Sequence, residues 1–414
     1  MKKVWMEPED SAFTYEGRID FECPGAPVFV YPCSYVKFRL SGWFAALAVE
    51  NHHSYFENSL GVLVDGTYRG KIVLHDGMTT QGETMEQYLL RMDLKQETDL
   101  PEDVMARCGN ARVYELSPYL DGGEHEITIF KRMDACHYFT FRGLLTEKRT
   151  CDTGANEKSC ADIPILREKS GDVRSDSGLK SLAKGERRIE VYGDSISCGE
   201  VSEAVGRCGM SDPEGHNGIY SNSFYSYSWI LARRLGARLH DVSQGGISLR
   251  DGEGWFHMPD TVGMLSCYDK IQLNPDLGER KSWDFSRYVP HVVIVAIGQN
   301  DAHPEDYMTE DYEEEKAASW RKDYAGFLRK LRGKYPHALI VCTTTILEHN
   351  ASWDQAIGEV CEALDDPKIK HFLYSLNGRG TSGHVRIPEA ETMAAELQAF
   401  LESQGDSIWE DQER

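Results

Sequence analysis

Two patterns of apolar residues divide the chain. Over the first 150 residues, short runs rich in Val, Phe, Tyr and Ile alternate with turn residues. Examples are Val28-Phe29-Val30-Tyr31, Tyr35-Val36-Lys37-Phe38-Arg39-Leu40 and Leu60-Gly61-Val62-Leu63-Val64-Asp65-Gly66. Runs of this length bounded by turn signals read as strands. Asp65-Gly66 has the chemistry of a tight hairpin turn, and Gly122 to Lys131 reads as a further hairpin-like segment. A helical period intrudes only over Thr84 to Leu94. This part is predicted to be a β-sandwich of jelly-roll type, spanning 1–150.

Residues 151–187 are rich in Lys, Asp, Ser and Gly, with one extended piece at Ile163-Pro164-Ile165-Leu166, and read as a linker or crossover. From 188 to 414 strands and helices alternate. Arg188–Tyr192 and Arg238–Val242 read as strands, and His291-Val292-Val293-Ile294-Val295-Ala296-Ile297 is a continuous apolar run. Such a run suits a strand buried on both faces. Ala338–Thr344 is another. Helical periods cover Phe224–Leu235, Asp311–Lys334 and Ala390–Glu402, and the acidic run Glu310 to Glu315 is expected to open the second of these as a solvated face. The alternation predicts an α/β domain with a parallel sheet flanked by helices, with its site at the carboxyl ends of the strands.

Four short blocks fall at those strand ends. Gly193-Asp194-Ser195 follows the first strand, and Ser243-Gln244-Gly245-Gly246 follows the second. Gly298-Gln299-Asn300-Asp301 follows the third, and Ser382-Gly383-His384 precedes the last helix. A turn directly after a strand can present a serine hydroxyl together with a backbone N–H, which is what a nucleophile and its oxyanion require. Asp194 is expected to shape the turn, since a carboxylate adjacent in sequence points elsewhere. Asn300-Asp301 could also cap the helix that follows. His303 and the pair His52-His53 read as loop features, and Trp255 and Trp283 as residues that could line a cleft and stack on a sugar ring.

These blocks, in this order, resemble the SGNH (GDSL-type) hydrolase superfamily, whose parallel sheet is flavodoxin-like. Within it the chain is most similar to carbohydrate esterase family 2, whose members carry a jelly-roll domain ahead of the hydrolase domain. Met393-Ala394-Ala395-Glu396-Leu397, Tyr220 to Tyr225, Met258-Pro259 and Trp283-Asp284-Phe285-Ser286 add to the resemblance. It implies a serine esterase removing O-acetyl groups from manno- or xylo-type oligosaccharides. Ser195 would be the nucleophile and His384 the base. The oxyanion hole would be formed by the Ser195 N–H, the Gly246 N–H (with Gly245 or Ser248 as substitutes) and the Asn300 amide. No metal or cofactor is implied. The fourth block departs from the superfamily: Thr381 stands where an Asp is usual, and Val385 replaces the usual proline. No carboxylate lies between Asp366 and Glu389. The resemblance to carbohydrate esterase family 2, whose members can use a Ser–His dyad, implies a dyad here, with a main-chain oxygen near Gly380 to Ser382 orienting the imidazole. The alternatives are a carbohydrate-binding protein on a catalytically weak hydrolase fold, and a lipase or thioesterase of the same superfamily.

Composition narrows the partners. The net charge of −22, from 67 acidic and 45 basic residues, disfavours nucleic acid and anionic membranes. No apolar run of 18 or more residues is present, so no transmembrane helix is expected. Met1 to Asp10 lacks the apolar core of a secretory signal. The 11 cysteines are odd in number and show no Cys-x-x-Cys spacing, which disfavours zinc and a disulfide framework. Cys151 with Cys160, and Cys198 with Cys208, are the pairs that could close loops on oxidation. Together these features predict a cytoplasmic protein.

Overall fold

The structure, a computed structural model, describes residues 2–53, 55–75, 82–94, 98–101, 103–147, 186–257, 260–272 and 279–411. The 151–187 linker up to 185, the Cys151/Cys160 pair, Ile163 to Leu166 and Met258-Pro259 lie outside the described residues.

The N-terminal part is a sandwich of two sheets. One runs Thr14–Glu16, Tyr35–Ser41, Glu124–Lys131, Ser59–Val64, Thr67–Val73, all antiparallel. The other centres on Tyr138–Glu147, which pairs antiparallel with Ala45–His52 and Lys3–Met6. Inward side chains such as Phe29, Phe38, Leu47, Val62, Ile129 and Phe141 fill the space between the sheets, as aligned sheets require. Asp65 and Gly66 both have positive φ, 51° and 74°, the turn that matches the twist of the flanking strands. Glu124–Lys131 is not a hairpin by itself. It is a single central strand whose partners are distant in sequence. The short helix Met85–Arg91 is held by a capping box between Thr84 and Gln87.

The second domain has a five-stranded parallel sheet in the spatial order Arg238–Ser243, Arg188–Gly193, Val292–Ala296, Leu339–Thr343, Ile369–His371. Numbered along the chain that order is 2-1-3-4-5, so strand order reverses between the first and third strands, where α/β sheets bind their ligands. Every residue of the third and fourth strands is buried, which explains their uninterrupted apolar runs.

Helix starts differ from the periodic pattern for capping reasons. Ser226 accepts from Trp229 N–H, so the helix is Tyr227–Leu235, preceded by a 3-10 turn at Ser223–Tyr225. The acidic run does not open the long helix as a block. A short helix, Tyr307–Glu310, ends at extended Asp311, and the long helix is Glu315–Lys334 with Glu314 as its N-cap. The closing helix starts earlier than its apolar period, at Ile387, with Pro388 in the first turn and Glu389 accepting from the Arg386 N–H at 2.7 Å.

The two domains share a buried polar joint. Arg18 of the sandwich inserts into the α/β domain, where it donates to Tyr268 O at 2.6 Å and Lys270 O at 2.9 Å and pairs with Glu190 at 3.1 Å. Tyr192 and Tyr335 donate to the same Glu190 carboxylate. Removing one partner of such a pair leaves the other charge buried and alone. Arg18→Ala is expected to destabilise the protein by about 3–5 kcal/mol, read as a lower urea midpoint.

Candidate active site

Ser195 is the first residue of a four-residue helix, Ser195–Cys198, that starts where the first parallel strand ends. Asp194 caps it: Oδ1 accepts from the Ile196 N–H at 3.0 Å. Its Oδ2 accepts from the side-chain amides of Gln299 and, at 3.0 Å, Asn300. Burial pushes the Asp194 pKa up to about 6 against those hydrogen bonds. Asp194 thus clamps the first block to the third. Asn300 Nδ2 also donates to Ile247 O at 3.1 Å, which ties in the second block. Both amide protons are committed, so one of these bonds must yield before Asn300 can meet an oxyanion. Asp301 faces away from the cleft and accepts from Trp320 Nε1 and the Leu249 N–H.

In the second block, Gly246 has φ 72° and its carbonyl accepts from Trp255 and Phe256 N–H. Among the described residues the N–H groups of Ser195 and Gly246 have no acceptor, so both remain open for an anionic oxygen. The block is anchored by the sandwich. Gln244 Nε2 donates to Asp134 Oδ2 at 2.6 Å, and Tyr55 OH donates to the same oxygen. The other oxygen of Asp134 accepts from His137 Nδ1 at 2.7 Å. The sandwich therefore helps to shape the cleft.

The imidazole of His384 is oriented by a carboxylate, not by a main-chain oxygen near Gly380 to Ser382. Nδ1 donates to Asp212 Oδ2 at 2.6 Å, while Asp212 Oδ1 accepts from the His384 N–H at 2.9 Å and from Arg386 Nη2 at 2.9 Å. Asp212 comes from the loop after the nucleophile, far from His384 in sequence. Gly383 permits the approach: a Cβ there would stand 2.6 Å from Met210 O and 2.7 Å from Asp212 Oδ1. Burial opposes ionisation of Asp212, but His384 and Arg386 outweigh it and hold its carboxyl well below the usual range. On its other side, His384 Nε2 lies 3.2 Å from Glu200 Oε2. Glu200 donates its N–H to Ser195 O at 3.0 Å, which places nucleophile and base in one corner. Burial alone would lower the His384 pKa, yet hydrogen bonds to Asp212 and Glu200 push it up to about 10.

The tryptophans separate. Trp255 is 63% exposed, adjoins Gly246 and stacks on His303 with ring centroids 3.5 Å apart. Trp283 is 4% exposed and packs on Arg18, Ile271 and Tyr288; it belongs to the core and lines no cleft. His303 is thus the support of Trp255. His52 stacks on Tyr138 inside the sandwich. Cys198 and Cys208 are both free thiols. The functional groups that sequence reasoning missed are Asp212, Glu200, Gln299 and Asp134. Each is a common polar residue outside the four blocks, apart from Gln299, which lies inside the third.

Known proteins share the sequence pattern and the fold. Residues 15–97 match the family model for the carbohydrate esterase 2 N-terminal domain. The fold is that of solved family two carbohydrate esterases. The fold of a family two carbohydrate esterase from Clostridium thermocellum, solved in complex with cellohexaose, superimposes with TM-score 0.64 at 23% identity, covering 96% of this chain and 99% of that one. An acetylxylan esterase / glucomannan deacetylase from Cellvibrio japonicus is 27% identical over 287 residues, 68% of each chain. The cellulase/esterase CelE of Acetivibrio thermocellus is 23% identical over 407 residues, which are 96% of this chain and 40% of that protein. As the sequence pattern implies, an antiparallel β-sandwich precedes a parallel-sheet α/β domain, the arrangement that these solved structures share. Among the described residues no helix is long and apolar enough to cross a membrane.

Proposed function

We propose that this protein is a serine esterase of the carbohydrate esterase family 2 kind that removes O-acetyl groups from acetylated manno- or xylo-oligosaccharides. The observation that carries this reading is the chain of contacts from Ser195 through Glu200 and His384 to Asp212 at the switch point of the sheet. The deacetylase relatives support the substrate class. Exposed Trp255 beside Gly246 offers a sugar a flat apolar platform.

In this reading Ser195 Oγ attacks the acetyl carbonyl carbon as His384 Nε2 takes its proton. The tetrahedral oxyanion is met by the Ser195 and Gly246 N–H groups, with Asn300 at its edge. The sugar oxygen then leaves with the proton from His384, and an acetyl-serine remains. Water, deprotonated by the same imidazole, cleaves that ester to acetate. Asp212 keeps Nδ1 protonated and stabilises the imidazolium.

A weak hydrolase fold kept for sugar binding requires a His384 without an acid partner, and Asp212 stands 2.6 Å from its Nδ1. The odd count of 11 cysteines supports a reducing, cytoplasmic setting. Mass spectrometry of mixed acetylated manno- and xylo-oligosaccharides tests the proposal. Acetyl mass is expected to be lost with the wild type and retained with Ser195→Ala. Retention in both samples rejects it, and turnover of long acyl esters in place of acetyl esters favours the lipase reading.

A further inference from the structure

In this structure the base is not hydrogen-bonded to the nucleophile. Both ring nitrogens of His384 meet carboxylates, Asp212 at 2.6 Å and Glu200 at 3.2 Å, and among the described residues no hydrogen bond joins the ring to the Ser195 hydroxyl. A carboxylate at each ring nitrogen favours the doubly protonated imidazole, the form that cannot accept the serine proton. Asp212 must stay for catalysis, because Nδ1 needs it. Glu200 must let go, because Nε2 is the nitrogen that serves Ser195.

Glu200 is placed to move only at its side chain. Its N–H is fixed on Ser195 O, and it follows the left-handed cap residue Gly199. The carboxylate lies over Gly245, where a Cβ would collide with Oε1, and Asp134 Oδ2 faces the same spot. Its side chain remains partly open to solvent. The other charged or titratable groups around His384 are Asp194 on the nucleophile turn, His216 on the Asp212 loop, and Arg386 at the start of the closing helix, reached through Asp212. None of these contacts Nε2. A carboxylate only accepts hydrogen bonds, so what relieves His384 of Glu200 must be another donor.

We propose that Glu200 is a positioning residue that couples sugar recognition to release of the base: at rest it holds His384 Nε2, and a free hydroxyl next to the scissile acetyl group replaces the imidazole as its donor. The coupling rests on the esterase reading; the resting clasp does not. A hydroxyl given to a carboxylate forms one of the stronger hydrogen bonds available, and a sugar whose neighbouring hydroxyls are also acetylated has none to give. Glu200 therefore selects esters flanked by a free hydroxyl.

The test is Glu200→Gln, close in shape, with Glu200→Asp as a second variant that keeps the charge but shortens the reach; thermal unfolding checks both folds. The His384 titration is followed by NMR of the imidazole. kcat and KM are followed against pH for 4-nitrophenyl acetate, for a mono-O-acetylated xylobiose and for its fully acetylated counterpart. In the wild type, the acid limb of kcat on the mono-acetylated sugar is expected at least one unit below that of kcat/KM, since the first reports the occupied site and the second the free enzyme. In Glu200→Gln the His384 midpoint is expected to fall by at least one unit. kcat/KM at pH 6 should rise several-fold for the aryl ester and fall about tenfold for the mono-acetylated sugar relative to the fully acetylated one. An unmoved midpoint in both variants, or equal factors on all three esters, overturns the proposal. A wild type inert to every ester, with a midpoint that still drops in the variant, overturns the esterase reading and the coupling while the clasp stands.

Discussion

Alanine at Ser195 is expected to lower kcat for acetate release by about 10⁴-fold or more while changing sugar affinity little. The side chain holds nothing in place: among the described residues the Ser195 hydroxyl makes no hydrogen bond, and the short helix it begins is capped by Asp194 instead. The Ser195 N–H, Gly246 and Trp255 are untouched by the change, so the proposed sugar platform and oxyanion donors persist. What disappears is the hydroxyl that forms the acyl-enzyme in the proposed mechanism. Acetate release by coupled assay gives the loss, and calorimetric titration with the deacetylated oligosaccharide gives the affinity. A variant retaining more than about a hundredth of wild-type kcat would mean that water, not Ser195, attacks the ester.

Asp212→Asn is the second large effect, expected at about 10²–10⁴-fold in kcat. The substitution keeps the volume but reverses the hydrogen-bond logic. An amide can present its NH2 to Nδ1, which favours the tautomer with the proton on Nε2, the wrong nitrogen for a base facing serine. It also leaves buried Arg386 without its carboxylate. The pH dependence of stability should report the same clasp. The His384 pKa is raised in the fold, so its stabilisation is fully present below the ordinary histidine value of 6.5 and fades as pH rises towards about 10. The Asp212 pKa is depressed, so its share is present above the ordinary 3.8 and is lost as pH falls below it. The clasp is thus strongest between roughly pH 4 and 6.5. The fall in Tm caused by Asp212→Asn should be larger at pH 5.5 than at pH 10. An equal fall at both would show that His384 is not charged by this contact.

The orientation of His384 marks the boundary between what is local and what is not. Thr381 and Ser382 correctly exclude an acid from the His384 loop, and from sequence the nearest remaining acceptor is a main-chain oxygen. The acid arrives instead from the Asp212 loop, across a gap closed by Gly383. Nothing in the residues around Asp212 distinguishes it from other surface aspartates. Trp283 shows the converse: it stands in a segment that resembles the family, yet the inserted Arg18 and Tyr288 draw it into the core. The long acidic segment from Glu310 has helical composition throughout, but extended Asp311 breaks it before Glu315.

The sequence by itself determined the two layers of architecture, because a period of two with turn residues and buried apolar runs joined by helices each admit few packings. It also determined the four blocks, because a serine after a strand and a glycine-rich turn after the next have local conformational reasons to be where they are. Only the tertiary structure decided which carboxylates meet the histidine, which tryptophan faces solvent, and that Asp134 of the sandwich holds the second block. Those outcomes depend on contacts between residues more than a hundred positions apart, and such contacts are set by how whole layers dock, which no local pattern encodes.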